Sequence, residues 1–160
     1  LFSLKRIMKF YIPQKGMKDK ILIFIITYKA SYLVEKVVQK IPFTYLKNKN
    51  FKIYISDDDS KDDTINYLEK IKKKYKSKVV VNYIKKNVGY GANIKKCINY
   101  AYKNNYTHAV MIHGDNQYNP KYAAIMLENL FRNRKLAESS DIHIHIKKVE
   151  NFLIPFEKCK

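Results

Sequence analysis

The chain has 160 residues, enough for one domain with a buried core. Its formal net charge of +18 is carried almost wholly by lysine; only Arg6, Arg132 and Arg134 offer the planar fork that reads base edges, which argues against a dedicated sequence-reading nucleic-acid domain. Cys97 and Cys159 are isolated thiols without CxxC spacing, against a zinc site or a disulfide-stapled secreted fold, and the longest apolar run, Ile21 to Ile26, is too short to span a bilayer.

Residues 1–19 read as a basic extension without a signal-peptide core. Leu1 is not an initiator, and Met8 and Met17 are candidate starts. Lys20 to Thr27 is a continuous run of β-branched and aromatic residues, the pattern of a strand buried on both faces of a parallel sheet. Ser31 is positioned to cap a helix carrying Leu33, Val34, Val37, Val38 and Ile41, stopped by Pro42.

Phe51 to Ser56 predicts a second strand. Asp63 is a candidate cap for a helix with Ile65, Leu68 and Ile71 at helical spacing and a lysine-rich end, where cations complement the helix dipole. Val79 to Ile84 predicts a third strand, and Ala92 to Asn104 a third helix with Ile94, Cys97, Ile98 and Ala101 on one face, which makes Cys97 a core residue. His108 to His113 predicts a fourth strand, and Tyr122 to Phe131 a helix with Tyr122, Ile125, Met126 and Leu130 inward. After Arg134 the pattern weakens. Asp141 to Ile146 alternates like a half-buried strand, and residues 135–160 form an atypical tail that suggests a truncated or frameshifted coding sequence.

Four alternations of strand and helix imply right-handed crossovers and an α/β, Rossmann-like, mainly parallel sheet, with ligands beyond the carboxyl ends of the strands. The loops at those ends are unusual. Thr27-Tyr28-Lys29 follows the first strand, Asp57-Asp58-Asp59-Ser60 the second, Asn87-Val88-Gly89-Tyr90-Gly91 the third, and His113-Gly114-Asp115-Asn116-Gln117-Tyr118-Asn119-Pro120 the fourth. Carboxylates at strand ends can bind ribose hydroxyls, a base edge or a hard divalent cation. Asp62 and Asp63 suit helix capping instead. Gly89 and Gly91 open a helix, where amides and the dipole favour phosphate, or they are simple turn glycines; both readings stand. Asp115 fits a metal-diphosphate site or an Asx-turn. No Walker or Rossmann fingerprint is present.

In order and spacing, over residues 20 to about 130, these loops resemble the donor half of family 2 glycosyltransferases of the dolichol- or polyprenyl-phosphate type. That pattern runs through Asp-Asp-Gly-Ser-x-Asp-Gly-Thr and Asn-x-Gly-Tyr-Gly to Asp-x-Asp-x-Gln-x-x-Pro. The resemblance implies a GT-A fold over residues 20–134, a nucleoside-diphosphate sugar donor, Mg²⁺ or Mn²⁺ on the diphosphate, and an acceptor such as polyprenyl phosphate or a cell-surface glycan precursor. It also implies that Thr27, Tyr28, Asp57, Asp58, Asn87, Gly89 and Gly91 bind the nucleotide sugar, and that Asp115, Gln117 and His113 serve the metal.

Four departures stand out. Asp59 and Asp63 replace glycines, Asn116 replaces a frequent glycine, and His113 replaces the first acidic residue of the metal motif. Imidazole suits Mn²⁺ better than Mg²⁺, and His113 either touches the metal or orients its loop. The family's acceptor-side residues lie downstream of the matched region, so no catalytic base is identified. The expectation is a cytoplasmic enzyme of cell-wall or polysaccharide synthesis, peripheral at the inner membrane face, whose chain alone binds donor without appreciable turnover. An inactive remnant, one half of a split enzyme, and a lysine-rich nucleic-acid or membrane-surface module are the alternatives.

Overall fold

The structure, a computed structural model, describes residues 18–139, with side chains described to residue 132. The half-buried strand expected at Asp141 to Ile146 lies outside the described residues. The chain divides into two compact units, residues 1–127 and 128–160.

The described residues of the first unit form a four-stranded sheet of β1 (Lys20–Thr27), β2 (Asn50–Asp57), β3 (Val79–Tyr83) and β4 (His108–His113), in the order β3-β2-β1-β4. Every adjacent pair is parallel. The helices are α1 (Leu33–Gln39), α2 (Phe43–Leu46), α3 (Thr64–Tyr75), α4 (Tyr90–Lys103) and α5 (Ala123–Ser139), and α5 carries the described residues of the second unit.

From β1 the chain steps to β2 and β3 on one side, then returns to place β4 on the other side of β1. Right-handed crossovers in opposite directions put their helices on opposite sheet faces. α1 and α3 pack on each other, while α4 packs on β1 and β2. The α4 side buries Leu22, Phe24 and Ile26 of β1 against Ile94, Cys97 and Ala101. By strand alternation Ile21, Ile23 and Ile25 point the other way, and all three are fully buried. Burial on both faces is why β1 reads as an unbroken apolar run. It also pushes the Cys97 thiol up to about 12, so Cys97 is an inert core residue.

Several local readings are corrected. Ser31 does not cap α1: it has φ 47°, Tyr32 is the cap residue, and no side-chain bond is made there. Pro42 opens the short helix α2, which was not anticipated. Asp63 makes no capping bond to α3; Asp62 accepts the Thr64 N–H at 3.1 Å in its place. The strands run Asn50–Asp57 and Val79–Tyr83, and α4 starts at Tyr90, ahead of the expected Ala92.

The inward face of α5 also differs. Ala123 and Leu127 are buried, whereas Tyr122 is 60% and Ile125 54% exposed, and Met126 and Leu130 are partly buried. Tyr122 lies in a 3₁₀ turn at Pro120–Tyr122, ahead of the helix, and the buried positions of α5 are Ala123 and Leu127, one helical turn apart. No helix among the described residues is long and apolar enough to cross a membrane.

Candidate functional site

Because all four strands are parallel, their carboxyl ends share one sheet edge, and the reversal in strand order falls between β1 and β4. A doubly wound sheet opens a ligand crevice at such a switch point. Thr27 ends β1 there, with Tyr28 next in chain, and His113 ends β4 beside it, followed by Gly114 and Asp115.

The β1 and β4 ends approach closely. The Gly114 N–H donates to the Ile26 carbonyl at 2.9 Å. A Cβ on Gly114 would lie 2.7 Å from Thr27 Cβ and 2.8 Å from Thr27 Oγ1, so only glycine fits. Thr27 is 4% exposed, and its buried hydroxyl has no hydrogen-bond partner among the described residues.

Asp58, buried at the end of β2, links this edge to the loop after β3. Its Oδ1 accepts the Val88 N–H and its Oδ2 the Gly89 N–H, each at 2.9 Å, while Asn87 Nδ2 donates to the Asp58 carbonyl at 3.0 Å. Gly89 also reaches Asn87 Oδ1 at 3.1 Å. With φ 82° and ψ 160°, Gly89 occupies a region open essentially to glycine alone, and a Cβ there would meet nothing within 4 Å. The demand at Gly89 is conformational, and its amide is committed to Asp58. Gly91 lies in the first turn of α4.

Asp57 is 1% exposed and binds its own loop: Oδ2 accepts the Ser60 N–H at 2.9 Å and Oδ1 the Ser60 hydroxyl at 2.6 Å. Burial raises its carboxyl above the ordinary range despite those two bonds, and the neighbouring Asp62 and Asp58 add to the rise. Asp57, Asp59, Ser60 and Lys61 line a cleft of about 410 Å³ together with Glu69, Tyr83 and Lys85.

The departures from family glycines have a backbone answer. Asp59 has φ 65° and Asn116 φ 62°, so both have the left-handed conformation that glycine favours, and Asp and Asn are among the non-glycine residues that tolerate it best. Asp59 pairs with Lys61. Asp63, at φ −71°, needs no such tolerance.

In the β4 loop, Asp115 Oδ1 accepts the Gln117 N–H at 3.1 Å, an Asx-turn, and Gln117 is exposed. His113 is flanked by two rings, Tyr90 at 5.5 Å and Tyr118 at 5.2 Å between centroids, and its Nε2 lies 3.3 Å from the Tyr90 hydroxyl. Tyr90 and Tyr118 stood in the quoted loops without an assigned role.

Among the described residues no three His, Cys, Asp or Glu side chains gather into a ligand set. The chemistry of the β4 loop still suits Mg²⁺ or Mn²⁺: one carboxylate and one amide oxygen within three positions are hard donors, and such cations take the rest of their shell from water and substrate phosphates. Thr27 Oγ1, buried and unpartnered beside Gly114, adds a polar atom to the same crevice.

The chain matches the profile of glycosyl transferase family 2 over residues 22–152. Among solved structures it is similar to the mannosyltransferase PcManGT from Pyrobaculum calidifontis, a complex with GDP-Man and Mn²⁺, at TM-score 0.54 and 11% identity, covering 71% of this chain and 32% of that one. It is also similar to TarS 1–349 of S. aureus, at TM-score 0.50 and 22% identity, again covering 71% of this chain and 32% of that one. The chain thus spans about a third of the length of these structures, and no curated protein matches it significantly. The sheet and helices have the GT-A fold. The chain belongs to glycosyl transferase family 2.

Proposed function

We propose that residues 20–134 form the donor-binding domain of a glycosyltransferase that moves a sugar from a nucleoside-diphosphate sugar to an acceptor, either polyprenyl phosphate or a cell-surface glycan precursor. The observation that carries this reading is the meeting of the motif loops at one sheet edge, where Asp58 binds the Asn87–Gly89 loop beside the β1/β4 crevice. Donor binding by the similar mannosyltransferase, solved with GDP-Man and Mn²⁺, supports it.

In this reading Thr27 and Tyr28 line the nucleoside pocket with Asp57 and Asp58. Asp58 acts chiefly by holding Asn87, Val88 and Gly89 in place. Gly91 and the first turn of α4 present amides to phosphate. Asp115 and Gln117 hold the cation, and His113, flanked by Tyr90 and Tyr118, orients the loop.

An acceptor oxygen attacks the anomeric carbon, the bond from that carbon to the diphosphate breaks, and the nucleoside diphosphate leaves with the electron pair. A divalent cation, if held by Asp115, would supply charge neutralisation for that leaving group. No described residue is assigned as the base that receives the acceptor proton. The proposed setting is the cytoplasm at the inner membrane face, in cell-wall or polysaccharide synthesis, where the +18 charge favours anionic lipid.

The test is a thermal-shift panel of UDP, GDP and CDP, and their sugars, with Mg²⁺, Mn²⁺ or EDTA. One base should raise the melting temperature in metal and lose most of that effect in EDTA. Silence from every nucleotide overturns the reading.

A further inference from the structure

Lys29 and Ser31, in the turn that follows Tyr28, both have left-handed backbone, φ 50° and 47°, although neither is glycine. Such residues persist only where their surroundings fix them. Here both are held by hydroxyls from the segment after β2, Ser60 in the loop and Thr64 at the start of α3. The Lys29 N–H donates to Ser60 Oγ at 2.8 Å, and the Ser31 N–H donates to Thr64 Oγ1 at 2.7 Å.

Ser60 is 5% exposed and Thr64 fully buried. The Ser60 hydroxyl gives its proton to Asp57 Oδ1 at 2.6 Å, so toward Lys29 it can act only as an acceptor. Asp57 thereby sets the polarity of the contact, while Tyr28, next in chain to Lys29, keeps a half-exposed ring. The Lys29 ammonium lies 5.3 Å from that ring's centroid.

We propose that Ser60 and Thr64 are positioning residues for the nucleoside. By fixing the two left-handed residues they hold the Tyr28 turn in one conformation, so that the Tyr28 ring is ready as a stacking platform and loses little freedom on binding. This rests on the donor-site reading above. It adds that donor affinity depends on two hydroxyls that themselves touch no ligand.

The test uses the full chain with Ser60→Ala, Thr64→Val and the conservative Thr64→Ser. Amide hydrogen exchange is followed at Lys29 and Ser31, and calorimetry gives affinities for UDP, GDP and CDP and for inorganic pyrophosphate with Mn²⁺. Ser60→Ala should speed exchange at Lys29, and Thr64→Val at Ser31. Each should weaken the preferred nucleoside diphosphate by about three- to tenfold, the worth of one hydrogen bond, and leave pyrophosphate affinity as it was. Thr64→Ser should restore both readouts.

Equal losses for nucleotide and pyrophosphate would make the hydroxyls merely structural and overturn the proposal, as would nucleotide affinity untouched by faster exchange. A wild-type chain that binds no nucleotide sinks the donor-site reading itself. Unchanged exchange in the variants sinks the clamp independently.

Discussion

Asp58 and Gly89 are joined by a 2.9 Å hydrogen bond from the Gly89 amide to the Asp58 carboxylate, across 31 positions of sequence. With the matching bond from Val88, both carboxylate oxygens act as acceptors for one loop. Asp58→Asn keeps the shape but turns an NH₂ toward a backbone N–H. Stability should fall by about 1–3 kcal/mol in urea denaturation, and nucleotide and nucleoside affinity should fall together. An unchanged denaturation midpoint would mean the bracing is unimportant.

Asp57 makes stability depend on pH in the less common direction. Its folded value is raised by burial, so the native state holds the proton more tightly than the unfolded chain. In the window from the ordinary aspartate value up to the raised one, this group's contribution is lost as pH rises and regained as pH falls. The stability difference between wild type and Asp57→Asn should therefore shift in favour of wild type on acidification through that window. Parallel pH profiles in chemical denaturation would remove Asp57 as the source.

For Asp115 the expected effect is confined to metal. Asp115→Asn keeps an oxygen for the Gln117 N–H, so the Asx-turn can survive, but the anionic donor is lost. Nucleoside diphosphate affinity in Mn²⁺ should drop by about tenfold or more, with nucleoside affinity unchanged. Equal losses for the two ligands would indicate a disturbed loop.

Gly89→Ala and Gly114→Ala should each cost about 1–3 kcal/mol, for different reasons. At Gly89 there is open space and the cost is backbone strain at φ 82°. At Gly114 the new methyl meets Thr27 Cβ at 2.7 Å. Crystal structures of the two variants should show a rotated peptide at position 89 and a widened gap between the ends of β1 and β4.

What the sequence made legible follows from which forces are local. The unbroken apolar run of β1 needs no partner to be recognised, since burial on both faces leaves no polar phase. The site loops were legible as an ordered series of motifs at strand ends. Ser31 was not, because the contact that defines it is with Thr64, 33 positions away, and overrides its capping tendency. On α5, Tyr122 was counted as an inward helical position, whereas it lies in the 3₁₀ turn ahead of the helix, whose buried positions are Ala123 and Leu127. Asp59 and Asn116 looked like lost glycines, yet both have the left-handed backbone that glycine favours. Ser60 and Thr64 stood within a quoted motif, but their partners become visible only when the β1 and β2 loops face each other.

The strand order also carries a consequence for biosynthesis. Of the four described strands, β1 leaves the ribosome first but is the last to have both edges paired: β2 takes one, and β4 takes the other only after the chain has reached His108. The bonds between Lys20 and Thr107 that close this second edge span 87 positions. Until then the most apolar segment of the sheet presents an open ladder to its surroundings. A nascent chain halted before β4 would carry an aggregation-prone edge, and closing it is a slow, non-local step that the loops of the site must wait for.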